Sequence, residues 1–190
     1  MISFRQFNKS KKNSVLLIHG LFSSSGFWLE YLQYFKDLRV VLCDIDYDEF
    51  FDNPKYFYKI ISDHIHANHI NKTIAHSFGS SINLSISNDI MKINICPTHF
   101  KSRANKTNFI DDIYLKTKLD KEKINKLLIK ADKFYKKNQI LYKKNKSYTT
   151  NFIPTNDSFF TYNDNSNFAG DHFNIDNAVK KILKLNEFIK

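Results

Sequence analysis

The sequence predicts an α/β fold, a mostly parallel sheet with helices on both faces, and three features carry that prediction. Residues 15–18 are a continuous apolar run rather than an alternating one, as in a strand covered on both sides, and residues 39–45 read as the next strand around Val40, Val41, Leu42 and Cys43. Between such runs lie segments with apolar residues at three- and four-residue spacing. Strand–helix–strand alternation on this scale calls for right-handed crossovers and parallel pairing. Third, Ala75-His76-Ser77-Phe78-Gly79 sets a serine between small residues where a strand-like piece (72–74) meets a helix-like one (80–86).

Taken in order, residues 2–7 form an edge strand with Ile2, Phe4 and Phe7 as its apolar positions, and 9–13 is a polar turn. The buried strand 15–18 ends in His19-Gly20-Leu21. In the loop that follows, any of Ser23, Ser24 and Ser25 can cap a helix carrying Phe27, Trp28, Tyr31, Leu32 and Phe35. After the strand 39–45, Asp52-Asn53-Pro54 opens a second helix, with proline in its first turn. Its inner stripe is Tyr56, Phe57, Ile60, Ile61, His64 and Ile65. The strand before Ser77, a helix running to about Asn88 and a strand over 93–100 complete the first part. Residues 101–147 then break the pattern and read as two short helices with lysines opposite an apolar stripe (Ile124, Leu127, Leu128, Ala131, Phe134, Tyr135). The sheet resumes over 148–153, Phe168-Ala169 forms a brief last strand, and Asp176 caps a final amphipathic helix with Val179, Ile182, Leu183 and Phe188. All 190 residues are expected to form a single domain carrying 101–147 as a helical insertion.

Composition excludes several classes. A hydrophobic fraction of 42% is too high for a disordered chain. The two cysteines, Cys43 and Cys96, fall in apolar runs and read as buried thiols, with neither a disulfide framework nor metal-ligand spacing. His64, His66 and His69 share a helix and its end without a carboxylate partner, so they read as a helix face rather than a metal site. No cofactor is expected. No apolar run approaches the ~20 residues of a membrane helix, and the first residues carry no signal-peptide core, so a cytoplasmic setting is expected.

The chemistry converges on Ser77. At a sharp strand-to-helix turn a serine hydroxyl is lifted clear of the sheet, and the N–H of the next residue, Phe78, is aimed at a developing oxyanion. Ala75 stands where the usual G-x-S-x-G pattern has its first glycine. With His19-Gly20-Leu21 upstream and Gly170-Asp171-His172-Phe173 near the end, the motifs occur in the order oxyanion turn, serine, acid, histidine. In this the chain resembles the α/β-hydrolase family over about residues 12–100 and 148–189. The resemblance implies Ser77 as nucleophile, His172 as general base, Asp157 as the acid that orients it, and the Leu21 and Phe78 N–H groups as the oxyanion hole. Only 15 residues separate Asp157 from His172, and Asp164 and Asp171 are the rival acids. His19 orders its own turn and His76 packs beside the elbow. Phe22, Trp28 and His99 lie where substrate contacts are expected, with plain core packing an equal reading for Trp28. Serine at the elbow excludes the aspartate nucleophile of dehalogenases and epoxide hydrolases of this fold, leaving acyl transfer to water from an ester or thioester.

The net charge of +10 is concentrated. Residues 101–147 hold 15 Lys and Arg against 5 Asp and Glu, while the remaining 14 basic and 14 acidic groups cancel. A solvated lysine face is one reading of this stretch. The other is a dock for an acidic partner, with Lys126, Lys130 and Lys133 as contacts. The plan is similar to that of the compact esterases that cleave the methyl ester of pimeloyl-acyl carrier protein in biotin synthesis, and that likeness implies an acidic acyl carrier protein as the partner. A thioesterase, a general short-chain carboxylesterase and a non-catalytic binding module on a hydrolase scaffold are the alternatives. Nucleic acid is disfavoured because Arg103 is the only arginine in the stretch and no reader motif is present.

Overall fold

The computed structural model describes residues 1–86, 89–98, 103–104, 109–145, 149–162, 165–185 and 188; at 103–104 and 139–145 it describes the backbone alone. The main sheet has the order β1 (Ile2–Phe7), β3 (Arg39–Ile45), β2 (Ser14–Ile18), β4 (Lys72–His76), β5 (Met91–Ile95) and β7 (Thr150–Phe152). β1 is antiparallel to β3, and the other pairs are parallel, with Ile18 opposite Ala75, His76 opposite Ile95, and Ile95 opposite Phe152. The carboxyl ends of β2, β4, β5 and β7 therefore lie side by side. A separate two-stranded antiparallel ribbon joins β6 (Arg103–Ala104) to β8 (Phe160–Thr161).

The alternation of side chains along each strand splits the core into two layers. Leu16, Ile18, Val41, Cys43 and Ile45 face α1 (Tyr47–Asp52), α2 (Pro54–Ala67) and α3 (Gly79–Asn83), where Phe50, Phe57, Ile61, Ile65 and Ile82 are buried. Val15, Leu17, Val40, Leu42, Ile74 and Ile93 face the other way, toward Trp28, Tyr31 and Phe35 of a 3-10 helix (Ser25–Phe35) and toward α6 (Asp176–Leu183). Between β6 and β7 stand α4 (Phe109–Thr117) and α5 (Lys121–Asn145). Leu127, Ala131 and Phe134 of α5 join the first layer beside Phe50 and Phe78.

Several elements differ from their sequence-based expectation. The helix after the serine loop is 3-10, capped by Ser24, whose Oγ accepts from Gly26 N–H at 3.2 Å. Helix α1 has no counterpart in the pattern reading, because its six residues are too few for a period to show; Asp46 Oδ1 caps it from the N–H groups of Asp48 and Glu49. In α2 the inner stripe is Phe57, Ile61 and Ile65, whereas Tyr56 is 54% exposed. Helix α3 ends at Asn83, and residues 87 and 88 lie outside the described set. β5 starts at Met91 and stops at Ile95, and the second insert helix is 25 residues long rather than short. The expected last strand reduces to one parallel bridge, Pro154 to Phe168. Asp176 does not cap α6: its carboxylate accepts from Tyr34 O–H and pairs with Lys180 one turn on.

Candidate active site

Ser77 follows β4 by one residue and takes a left-handed backbone conformation, φ 52°, which a residue with a Cβ adopts only under constraint. The constraint is visible on both sides. Its N–H donates to Ile95 O at the end of β5 (2.9 Å), and its carbonyl accepts from Ser80 N–H (3.1 Å) and Ser80 Oγ (2.5 Å). Gly79 lets the turn close onto the end of β2, since a Cβ there would stand 2.6 Å from His19 O. Behind the turn, Asn83 accepts from Thr73 Oγ1 (2.5 Å) and donates to Asn94 Oδ1 (2.9 Å), and Asn94 donates to Asn151 Oδ1 (3.0 Å). This buried polar chain ties the helix after the serine to β4, β5 and β7.

His172 and Asp157 come from loops that are themselves joined. Thr155 N–H donates to Phe168 O (3.0 Å) and Asn156 N–H to Gly170 O (3.1 Å), which explains how a gap of only 15 residues brings the two side chains together. Asp157 Oδ2 lies 2.8 Å from His172 Nδ1, and His172 Nε2 lies 2.9 Å from Ser77 Oγ. A carboxylate only accepts, so Nδ1 carries the proton, leaving Nε2 free to accept the serine proton. Among the described residues neither Leu21 N–H nor Phe78 N–H donates a hydrogen bond. Gly20 closes the same corner, for a Cβ there would stand 3.0 Å from Ser77 Cβ and 3.5 Å from Ser77 Oγ.

Comparison with protein-family models and with curated proteins finds no match. Solved structures do match. A Burkholderia cenocepacia protein assigned as an aryl esterase aligns over 99% of this chain and 94% of its own at a TM-score of 0.66 and 10% identity. A lipase-esterase related protein from Clostridium acetobutylicum ATCC 824 aligns over 100% of both chains at 0.60 and 14%. The N-acyl homoserine lactonase AidH, complexed with N-butanoyl homoserine, aligns over 84% of this chain and 76% of its own at 0.55 and 13%. The chain has the α/β-hydrolase fold. At such identities the likeness speaks for architecture, and the chemistry has to be argued from the side chains.

In this α/β-hydrolase fold the Asp157 carboxylate is heavily solvated by protein. Oδ1 accepts from the N–H groups of Phe159 (2.8 Å) and Phe160 (3.0 Å), and Oδ2 also accepts from Tyr162 O–H (2.6 Å). Burial alone would raise its pKa, but the bonds from His172, Tyr162 and Phe159 outweigh it and hold the carboxyl below its ordinary value. Burial and the neighbouring carboxylate push the Tyr162 hydroxyl up, so it stays a donor. Asp171 instead accepts from Phe173 N–H (2.7 Å) and Asn174 N–H (2.9 Å) within its own turn, and Asp164 lies outside the described residues.

The histidine loop is held by residues that spacing does not single out. His76 Nε2 donates to His172 O (2.7 Å) while its ring stacks on Phe27, with centroids 4.4 Å apart. Burial, then the neighbouring His172, pushes the His76 pKa down to about 3, so the ring is neutral. Tyr31 O–H donates to Phe173 O (3.2 Å). Cys96 Sγ lies 3.7 Å from Asp171 O. Phe160, Phe173 and Phe159 surround the His172 ring at centroid distances of 4.9, 5.3 and 6.0 Å.

Cys96, Asp157 and His172 place ligand atoms within 4.8 Å of one another. The histidine and carboxylate already satisfy each other, however, and burial pushes the Cys96 thiol well up, which keeps it protonated and a poor metal ligand. His19 orders its own turn: Nδ1 donates to Gly20 O (2.8 Å) and Nε2 accepts from Ile45 N–H (3.0 Å).

Of the three expected contact residues, one is core, one borders the site region and one lies outside the described residues. Trp28 is fully buried among Phe27, Tyr31 and the second core layer, on the far side of the sheet from α1 and α2, which accords with its core-packing reading. Phe22 is half-buried and touches both the first core layer and the cluster of Phe109, Ile113, Ile124 and Phe159, so it does border the region above His172. His99 lies outside the described residues. Of the lysines expected to face a partner, Lys130 Nζ is engaged by Asp48 Oδ1 (2.5 Å) and Asp52 Oδ1 (2.8 Å), and Lys126 Nζ by Asp48 Oδ2 (3.3 Å). These pairs pin α5 to α1. Lys133 is exposed and has no acidic partner among the described residues. Among the described residues no helix is long and apolar enough to cross a membrane.

Proposed function

We propose that this protein is a carboxylic ester hydrolase with Ser77 as nucleophile, His172 as general base and Asp157 as the orienting acid. The continuous hydrogen-bonded chain Ser77 Oγ–His172–Asp157, at 2.9 and 2.8 Å, carries the reading. Ser77 Oγ attacks the ester carbonyl carbon as its proton passes to His172 Nε2. The Leu21 and Phe78 N–H groups receive the oxyanion. The carbonyl carbon–oxygen bond to the alcohol then breaks, and the leaving alkoxide takes the proton from Nε2. Water attacks acyl-Ser77, giving a proton to Nε2, and that proton returns to Ser77 as the acid departs.

Residues 101–147 act as a lid in this reading, because α5 packs beside Phe78, the residue next to the nucleophile. A finer reading has the acyl chain delivered on an acidic carrier protein in the cytoplasm, as in biotin synthesis. The insert's net charge speaks for it; the engagement of Lys126 and Lys130 by Asp48 and Asp52 speaks against those two lysines as the dock.

Labelling with a fluorophosphonate probe, read by intact mass, tests the core of the proposal alongside hydrolysis of short p-nitrophenyl esters. Wild type should label, Ser77→Ala should not, and His172→Ala should slow labelling by roughly 10³-fold or more. A wild type that neither labels nor hydrolyses would move the weight to a binding module on a hydrolase scaffold.

A further inference from the structure

Several lysines of the insert pair with acids, whereas Lys116, although exposed, lies over two aromatic rings. Helix α4 turns Phe109 and Ile113 into the aromatic cluster above His172, and position 116 follows them on the same helical face. Its ammonium sits 4.1 Å from the centre of the Phe173 ring and 5.3 Å from that of Phe159, and both rings flank the imidazole. With Phe173 and His172 centroids 5.3 Å apart, Nζ lies within 9.4 Å of the imidazole centre. Among the described residues no carboxylate pairs with it, whereas Lys121, Lys126, Lys130 and Lys136 each have an acidic partner. Two aromatic faces fix the position of this cation without neutralising it.

We propose that Lys116 is a specificity residue, selecting esters that carry a carboxylate or phosphate a few bonds away from the scissile carbonyl. The inference rests on the ester-hydrolase reading and adds a substrate class to it. The rings beside the imidazole receive the apolar part of such a substrate, and the ammonium receives its anionic end. The surrounding charge of residues 101–147 raises the local concentration of anionic substrate in the same direction. The charge can reside in the acyl part, as in a half-ester of a dicarboxylic acid, or in the leaving part, as in a short thiol or alcohol carrying a carboxylate or phosphate.

The test compares kcat/KM for wild type, Lys116→Met and Lys116→Glu in two arms. The first sets monomethyl adipate against methyl hexanoate. The second sets 3-(acetylthio)propanoate against S-propyl thioacetate. Methionine keeps an unbranched stem over the rings while removing the charge. The expected result is an about five- to tenfold loss on the anionic substrate of one arm, mainly in KM, with the neutral partner unchanged within about twofold, and a larger loss for glutamate. The arm that responds identifies where the charge resides. Anionic-to-neutral ratios equal in all three proteins, in both arms, would overturn the proposal and leave Lys116 as packing only. Wild type labelling at Ser77 in that case shows that the hydrolase reading survives. A wild type that labels but turns over none of the four substrates overturns the substrate class alone, and one that neither labels nor turns over any of them takes down both.

Discussion

Replacing Gly79 by alanine puts a Cβ 2.6 Å from His19 O, 3.0 Å from Ile18 Cγ2 and 3.1 Å from Ile18 O. Two of the three are backbone atoms at the end of a fully buried strand, so they cannot rotate aside. Overpacking of this kind costs ~1–3 kcal/mol. Gly79 opens α3 and its φ is not positive, so alanine also gains ~0.5–1 kcal/mol of helix propensity. At the middle of both ranges the clash wins, with a net loss of about 1 kcal/mol, or ~2–4 °C in Tm for a chain of this size. Relief requires the serine turn to retreat from His19-Gly20-Leu21, which separates the Phe78 and Leu21 N–H groups, so fluorophosphonate labelling should fall about tenfold or more. Gly20→Ala is the matched control: its Cβ meets only side chains, Ser77 Cβ at 3.0 Å, His76 Nδ1 at 3.3 Å and Ser77 Oγ at 3.5 Å. It should lose less stability for the same loss of labelling, because the displaced group is the nucleophile itself. Thermal melts followed by circular dichroism, paired with labelling rates, read both quantities. A Gly79→Ala protein that melts at or above wild type and labels normally would refute the reasoning.

Two further outcomes follow from the same site. Ser77→Gly should melt above Ser77→Ala by ~2–4 °C, since glycine removes about 1 kcal/mol of left-handed strain at φ 52°, while neither variant labels; equal melting temperatures would show that the turn stores no such strain. His76 is neutral in the fold, with its pKa pushed to about 3, but takes up a proton when unfolded below its ordinary 6.5, so the unfolded state binds more protons and stability must fall as pH drops from 6.5 toward 3. That amounts to about 2 kcal/mol by pH 5. His76→Gln, which retains a donor for His172 O, should lack this slope in Tm against pH, and an unchanged slope would contradict a buried neutral ring.

The legible part of this protein was the part written in local sequence. The apolar runs at residues 15–18 and 40–43 carry their strand character in four neighbouring residues each, and Ser77 lies in a strand–turn–helix pattern that is also local. Elements with few residues, such as α1 and the five-residue α3, show no period and were missed or overextended. Tyr162 on Asp157 and His76 on His172 O could not be read ahead, since a tyrosine or histidine in a loop or strand is marked by nothing until its partner is in place.

By itself the sequence determined the α/β class, the order along the chain of the six main-sheet strands and the turn that presents Ser77, but not the β6–β8 ribbon, because backbone preference and burial pattern act over a few residues. Only the tertiary structure decided which acid faces His172, that Trp28 is core, and that Lys126 and Lys130 are occupied while Lys116 rides on Phe173. Those are contacts between residues 15 or more positions apart. Their energy depends on distance in space, and only the closed fold sets that distance.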